Sequence, residues 1–142
     1  MSEPMQEPVP PQPPPPAYVP PAPSAGSSGL ADNIAAALAY ITIVPAIVFL
    51  VLEPYNRMPL VRFHSFQSIA FCIAAFVLQV ALMISEAFLH FIPGSWIIFS
   101  AVHLLLGLGI FIAWLVAILK AFKGEWFKLP VIGDWAEKQA RG

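Results

Sequence analysis

Four polar side chains lie inside long apolar stretches of this sequence, where an ionisable or amide group is costly to bury. Gln79, Glu86 and His90 follow one another at intervals of seven and four residues, so a helix would carry them on one face. His103 lies in the next apolar stretch. In an antiparallel helical hairpin that turns at residues 94 and 95, Glu86 would lie level with His103. A carboxylate and an imidazole that meet in this way lower each other's cost of desolvation.

We call these four residues the polar seam, and two interpretations of it are open. In the first, the seam is a proton- or ion-responsive site near the outer membrane face, within a small transporter or channel subunit. In the second, its side chains are structural, because interhelical hydrogen bonds also hold membrane helices together. In that case Glu86 extends toward the lipid headgroups.

The sequence predicts no catalytic centre, cofactor or metal. It contains no Gly-rich phosphate loop and neither the HExxH nor the GxSxG motif. Its one cysteine, Cys72, can form neither a disulfide within the chain nor a paired metal site. A metal site formed by His64, His90 and His103 is excluded, because the predicted topology places His64 on the other side of the membrane. We therefore expect a protein that is not an enzyme.

Three apolar stretches must position these groups, over residues 34–52, 69–89 and 96–119. About 20 residues of helix cross the ~30 Å hydrocarbon core, and each stretch has about that length. Of the 142 residues, 58% are hydrophobic and only 11% are charged, which is too little charge to cover a soluble domain. We predict an all-α integral membrane protein with three transmembrane helices, in a domain of residues 31–138. Pro45 predicts a kink in the first helix.

The two ends of the chain differ in composition from this membrane body. Eleven of the 16 prolines lie in residues 1–30, which predicts a disordered tail. The tail is a plain spacer or, since the PPAY sequence of residues 15–18 matches a motif that WW domains bind, the docking segment of a membrane adaptor with a protein partner. Residues 120–142 interleave aromatic residues with lysines, which predicts a cytoplasmic amphipathic segment in the headgroup region.

The distribution of charge predicts the orientation. All seven Lys and Arg residues lie in the loop at 53–68 or after residue 119. By the positive-inside rule those segments are cytoplasmic, so a three-span chain has its N-terminus outside and its C-terminus in the cytoplasm, as a multi-pass protein of a bacterial inner membrane. The net charge of -1 argues against nucleic acid and leaves the lipid bilayer as the expected partner. Gly109, Ala113 and Ala117 form a stripe of small residues that favours close helix packing or a homo-oligomer.

Three segments also resemble a known family, namely residues 32–40 (DNIAAALAY), 61–68 (VRFHSFQS) and 128–138 (KLPVIGDWAEK). They are similar to the Tic-twenty-like superfamily, named for a chloroplast import component, and to its small uncharacterised bacterial membrane proteins. The resemblance implies a helical membrane body without an established activity and plant relatives that take part in protein import. The residues at the motif positions are Arg62, His64, Gln67, Ser68, Pro130, Gly133 and Glu137.

The last two segments also have a physical interpretation, which leaves alternatives open. Arg62 and His64 would lie at the depth of the lipid phosphates and bind a headgroup there. Alternatively, the two segments dock to each other on the cytoplasmic face. Gln67 would bond to a neighbouring helix or to the carbonyl freed by Pro45. In each case the sequence favours a non-enzymatic membrane protein as the leading function.

Overall fold

The structure is a computed structural model that describes residues 30–142, and all regular structure in this range is helical. The helices in chain order are α1 (Asp32–Leu38), α2 (Ile43–Val51), a 3-10 helix (Tyr55–Arg57), α3 (Pro59–Leu89), α4 (Ser95–Phe122) and α5 (Ile132–Arg141). The predicted disordered tail, apart from Leu30, lies outside the described residues.

Two helices, α3 and α4, are long and apolar enough to cross a membrane. They have 31 and 28 residues, and each contains an 18-residue segment whose mean hydropathy is 2.3 in α3 and 2.6 in α4. At 1.5 Å per residue the helices are about 46 and 42 Å long. Pro59 lies at the start of α3, where its missing N–H has no partner within the helix. Gly94, with a φ of 83°, makes the left-handed turn that leads into α4. The predicted second span is therefore part of α3, and the predicted third span is part of α4.

The prediction of a third transmembrane helix over residues 34–52 is not confirmed, because the chain breaks this stretch into α1 and α2. Residues 39–42 separate the two helices, and Thr42 is extended with a φ of -149° and a ψ of 170°. Pro45 gives the reason, since it has no N–H to donate to the carbonyl four residues earlier and its ring would clash with that carbonyl. In the structure Pro45 lies in the first turn of α2, where no donor is needed. The predicted kink is thus a complete break.

The two short helices begin and end at the same end of the molecule. The backbone N–H of Leu30 donates to the hydroxyl of Tyr55 over 3.0 Å. The side-chain amide of Asn33 donates to the carbonyl of Phe122, the last residue of α4, over 2.8 Å. Trp114, which precedes Phe122 by two turns, donates its indole N–H to the carbonyl of Tyr40 over 2.8 Å. α1 therefore rises about 12 Å along α4, and α2 returns to the level at which α1 began.

This re-entrant path does not support the predicted topology. An N-terminus outside and a C-terminus in the cytoplasm required the first apolar stretch to cross the membrane. A stretch that turns back leaves residue 30 at the same end of the long helices as Tyr55 and Phe122. The C-terminal helix α5 packs at that end as well, where Arg62 near the start of α3 contacts Gln139. Both ends of the described chain therefore lie at the same end of the hairpin formed by α3 and α4, opposite its turn at Gly94.

Burial divides the molecule into two regions. We call residues 30–68 and 114–142 the base, and residues 69–113 the outer hairpin. Except for Ser95, every buried side chain in the described part of the chain belongs to the base. In the outer hairpin, Phe76, Phe88 and Leu104 are 69%, 72% and 71% exposed, as expected for helices whose neighbour is lipid.

Small residues allow α1 to fit between the two long helices of the base. Ala36 shares a buried cluster with Ala117 and Ala121 of α4. Ala35, on the adjacent face of α1, shares another with Val61 of α3. Because alanine side chains let helix backbones approach closely, the carbonyls at the end of α1 come within reach of polar side chains on α3 and α4.

Candidate functional site: a buried polar cluster in the base

Four polar side chains meet where the turn after α1 contacts α3, and we call them the polar cluster. His64, Gln67 and Ser68 lie three and four residues apart and share one face of α3. Tyr40 lies in the turn that the break before Pro45 creates. His64 and Gln67 are completely buried, and Ser68 and Tyr40 are 1% and 3% exposed. Groups as polar as these are stable in such a position only when they are hydrogen-bonded.

Gln67 connects three segments of the chain through its side-chain amide. Its Nε2 donates to the hydroxyl of Tyr40 over 2.9 Å and to the carbonyl of Phe127 over 3.0 Å. Its Oε1 accepts the backbone N–H of Leu129 over 3.1 Å. Both N–H donors and the carbonyl oxygen are therefore satisfied, so the amide holds the turn after α1 and the loop before α5 against α3.

His64 extends this network to the start of the same loop. Its Nε2 lies 3.1 Å from the carbonyl of Glu125, and its Nδ1 lies 3.1 Å from the hydroxyl of Tyr40. Because a carbonyl only accepts, Nε2 carries the hydrogen and Nδ1 accepts the hydroxyl proton of Tyr40. A continuous chain of hydrogen bonds then runs from Gln67 through Tyr40 and His64 to Glu125, and each bond polarises the next.

Two further side chains bind the carbonyls that the helix break leaves without a partner. The hydroxyl of Ser68 donates to the carbonyl of Ala39 over 2.7 Å, and Trp114 binds the next carbonyl, that of Tyr40. Interrupted helices persist in membranes when neighbouring groups satisfy the freed backbone in this way. The nearby hydroxyl of Ser65 is buried without a hydrogen-bond partner.

Aromatic contacts hold the C-terminal segment to the other side of α3. The ring of Trp126 stacks on Phe63 with 4.8 Å between centroids, and the guanidinium of Arg141 lies 6.0 Å from the Trp126 ring. Arg62 donates to the carbonyl of Gln139 over 3.1 Å. α5 is thus fastened along its length, since Trp126 precedes it and Arg141 ends it.

An exposed ion network closes the loop before α5. Lys128 pairs with Asp134 at 3.1 Å and with Glu137 at 2.5 Å, and Glu137 also pairs with Arg141. The hydrogen bond from Lys128 holds the pKa of the Glu137 carboxyl below its ordinary value, and hydrogen bonds to Glu137 and Asp134 raise the pKa of Lys128. Gly133 permits the close approach, because a Cβ at this position would lie 2.6 Å from Cβ of Lys128.

The structure does not bring the polar seam together. His103 Nδ1 bonds to the carbonyl of Phe99 over 3.0 Å and His90 Nδ1 bonds to that of Ala87 over 2.8 Å, each within its own helix or at its end. No hydrogen bond or ion pair among residues 30–142 joins Glu86 to His103 or involves the side chain of Gln79.

The motif residues, in contrast, converge. Gln67 of the first segment accepts the N–H of Leu129 in the second, and the ring of Phe66 contacts that of Trp135, so the two segments contact each other. Arg62 and His64 bond to Gln139 and Glu125, just outside the second segment. His64 is buried and therefore does not face a lipid headgroup. Gln67 binds the loop before α5 and not a carbonyl beside Pro45, because the break places Pro45 in the first turn of α2.

The other motif residues have distinct places around this interface. Ser68 caps the end of α1 and Pro130 forms the turn into α5, where its carbonyl accepts the N–H of Ile132 over 2.8 Å. Gly133 and Glu137 belong to the start and the ion network of α5. Sequence reasoning missed Tyr40 and Trp114, although each is a polar group inside an apolar stretch, which is the available signal.

The polar cluster is arranged to fasten chain segments together. Gln67 and His64 each use both polar atoms of their side chains in hydrogen bonds, three of them to backbone groups of residues 125–129. Within residues 30–142 no group of three or more His, Cys, Asp or Glu residues is placed to hold a metal ion. The fold and the site define a helical membrane protein in which a re-entrant helix pair and a C-terminal helix are fastened to one end of a long hairpin.

The chain belongs to the magnetosome magnetite crystal formation protein family, whose model matches residues 31–136. The resemblance to the Tic-twenty-like superfamily is therefore wrong, because the segments that suggested it lie almost entirely within this match and the similar proteins are of a different family.

Curated relatives are archaeal membrane proteins. A UPF0132 membrane protein of Methanocaldococcus jannaschii is 40% identical over 116 residues, which cover 81% of this chain and 94% of the relative. One of Archaeoglobus fulgidus is 39% identical over 112 residues, covering 78% and 97%. A second protein of M. jannaschii is 32% identical over 114 residues, covering 80% and 73%. No solved structure matches the chain. The relatives and the apolar helices support a membrane location. The predicted location in a bacterial inner membrane has no support from them.

Proposed function

We propose that this protein is a non-enzymatic membrane adaptor that presents its N-terminal proline-rich segment beside its base at one membrane surface. The observation that carries the proposal is the position of Leu30 and Asn33. Leu30 bonds to Tyr55 and Asn33 bonds to Phe122, both in the base. The segment that precedes Leu30 therefore starts at the base, where α5 and the loop before it also lie.

The distribution of charge supports a cytoplasmic base. The seven Lys and Arg residues all belong to the base, and the outer hairpin has none. With two spanning helices the positive-inside rule places the base, both ends of the described chain and the proline-rich segment in the cytoplasm. Pro-rich segments are docked by soluble domains with aromatic grooves, and a cytoplasmic position makes residues 15–18 accessible to such a partner.

The family description names magnetite crystal formation, which makes a mineral-binding surface on the base a second candidate. Oxygen ligands for a hard metal ion need available carboxylates. In the base, Glu53, Glu125, Asp134 and Glu137 are paired with Lys or Arg, and Asp32 is the carboxylate of the described residues there that has no ion pair. For the transporter alternative, no contact among the members of the polar seam gives support.

Complementation in a host whose own gene has been deleted tests the adaptor role. A chain lacking residues 2–28 keeps every described contact of the base, so it should insert and accumulate normally yet fail to complement. A chain in which residues 2–28 are replaced by a Gly/Ser linker of equal length is the matched control for length, and it should fail as well. Full complementation by either variant would show that the proline-rich segment is dispensable and that the adaptor proposal is wrong.

A further inference from the structure

An apolar groove lies between α3 and the start of α5, separate from the polar cluster. It has a volume of about 660 Å³. Its walls come from both helices and from the residue before α5, and they include Ile69, Ile73, Val77, Val131, Ile132 and Trp135. All residues that line it are apolar, so an aqueous ligand has nothing to bind there.

The groove has the length of one lipid leaflet. It follows α3 from Ile69 to Leu78, which is about 14 Å at 1.5 Å per residue. Half of a ~30 Å hydrocarbon core is about 15 Å. Its first residue on α3, Ile69, directly follows Ser68, the last residue of the polar cluster. The groove therefore starts where the base ends on α3. Ala70 and Ala74 lie in its floor, where their short side chains leave the space that a larger residue would fill.

The mouth of the groove displays side chains that the protein itself leaves uncovered. Val131 is 92% exposed, and it holds a φ of 70°, which is strained for a β-branched residue. Trp135 is 46% exposed although its ring also contacts Phe66. Apolar and aromatic groups exposed at this depth are suited to contact with lipid chains and with the interface.

The ammonium group of Lys138 lies beyond the groove, farther into the base. Lys138 lies three residues after Trp135, so it is on the same face of α5. It is one turn closer to the start of α3, where Arg62 bonds to Gln139. No ion pair of residues 30–142 involves Lys138, whereas Lys128 and Arg141 are both paired. The order along this face is an apolar groove, an indole and an ammonium group, which matches the order of acyl chain, glycerol and phosphate in a phospholipid.

We propose that this groove binds one acyl chain of an anionic phospholipid from the leaflet on the side of the base, with Lys138 at the phosphate. The site rests on the groove and its neighbouring cation, and it is independent of what the proline-rich segment recruits. Complementation by a tail-deleted chain and lipid retention by the full chain therefore fail or succeed separately.

Native mass spectrometry of the full chain, extracted from vesicles of equal parts phosphatidylglycerol and phosphatidylcholine, tests the proposal. Wild type should retain one phosphatidylglycerol in preference to phosphatidylcholine. Lys138→Gln should reduce that preference about fivefold, which corresponds to about 1 kcal/mol for one cation at the membrane surface. Lys123→Gln removes the same charge at the C-terminal end of α4, outside the helix α5 that carries Trp135 and Lys138, and it should leave the preference unchanged.

A second variant tests the acyl-chain part of the site without changing charge. Ala74→Leu fills the floor of the groove and should lower retention of both lipids severalfold, while the helical circular dichroism stays that of wild type. Equal effects of Lys138→Gln and Lys123→Gln would indicate only general attraction to an anionic surface and overturn the headgroup assignment. Unchanged retention in Ala74→Leu, or a lipid-free dimer in which a second copy covers the groove, would overturn the acyl-chain assignment.

Discussion

The base and the outer hairpin are built from the same two helices, yet polar side chains behave differently in them. In the base, Gln67 on α3 bonds to two other segments of the chain and is completely buried. In the outer hairpin, His90 and His103 bond to carbonyls of their own segments, and Glu86 joins no ion pair among the described residues. A polar group organises the fold only where additional segments bring it partners.

The two regions are also stabilised by different interactions. The outer hairpin satisfies its backbone internally and exposes apolar side chains, so its stability depends on the bilayer. The base depends on specific hydrogen bonds between segments, because an unsatisfied polar group costs about 1–3 kcal/mol when it is buried. Matched substitutions in the two regions should therefore have unequal effects.

Gln67→Leu should destabilise the base by about 3 kcal/mol or more, since it leaves the N–H of Leu129 and the carbonyl of Phe127 buried without partners. The measurement is unfolding in mixed detergent micelles followed by tryptophan fluorescence. Gln79→Leu makes the same change in the outer hairpin and should shift stability by less than about 0.5 kcal/mol. Equal effects of the two substitutions would contradict the distinction between the regions.

Gly133→Ala should destabilise the docking of α5 by about 1–3 kcal/mol, because the new Cβ would lie 2.6 Å from Cβ and 2.8 Å from Cα of Lys128. Gly107→Ala is the control in the outer hairpin, where a Cβ meets nothing within 4 Å and helix propensity favours alanine. Limited proteolysis after residue 123 should be faster in the first variant only. Unchanged cleavage in Gly133→Ala would show that α5 has room to shift.

Tyr40→Phe should destabilise the base by about 1–2 kcal/mol, since His64 Nδ1 loses its donor and Gln67 loses one acceptor. Tyr55→Phe removes only the bond to the N–H of Leu30 in an exposed position and should have a smaller effect. Hydrogen exchange of the Glu125–Leu129 backbone is the direct readout. If Tyr55→Phe weakened protection there as much as Tyr40→Phe, the hydrogen-bond chain through Tyr40 would be of no special importance.

Acid should loosen α5, with an effect smaller than those of these three substitutions because the ion network is exposed. Lys128 lowers the pKa of Glu137, so the contribution of this pair is fully present above the ordinary pKa of a glutamate and is lost as the pH falls through the lowered value. Proteolytic release of α5 measured from pH 7 to pH 3 should rise accordingly. Glu137→Gln should flatten this rise, whereas Glu86→Gln, in the outer hairpin, should leave it intact.

The long helices could be predicted from the sequence, and the path of the first apolar stretch could not. Residues 69–89 and 96–119 are uninterrupted and long, so length and hydropathy alone identify α3 and α4. Pro45 predicted a disturbance, but its outcome depends on Ser68 and Trp114, which bind the freed carbonyls from distant parts of the chain. The predicted orientation is unsupported for the same reason, because it depended on three crossings.

The candidate site was predictable in its residues more than in its contacts. His64, Gln67 and Ser68 were recognisable as polar groups at the mouth of an apolar helix. Their partners include the backbone of Glu125 and Phe127, and no pattern of side chains in a sequence marks a particular carbonyl as an acceptor. The polar seam had the more regular spacing, yet helical spacing shows only that residues share a face and not that another segment packs on it.

Because α1 and α2 form a re-entrant pair, the chain before Leu30 starts on the side of the base. Single cysteines at Ser24, Phe91 and Gly142, in a Cys72→Ser background, test this arrangement by labelling with a membrane-impermeant maleimide in intact cells and in inverted vesicles. The six residues from Ser24 to Leu30 extend at most about 21 Å, too short to cross the ~30 Å core. We expect Ser24→Cys to be labelled from the same side as Gly142→Cys and from the side opposite to Phe91→Cys. Labelling of Ser24→Cys together with Phe91→Cys would contradict this expectation.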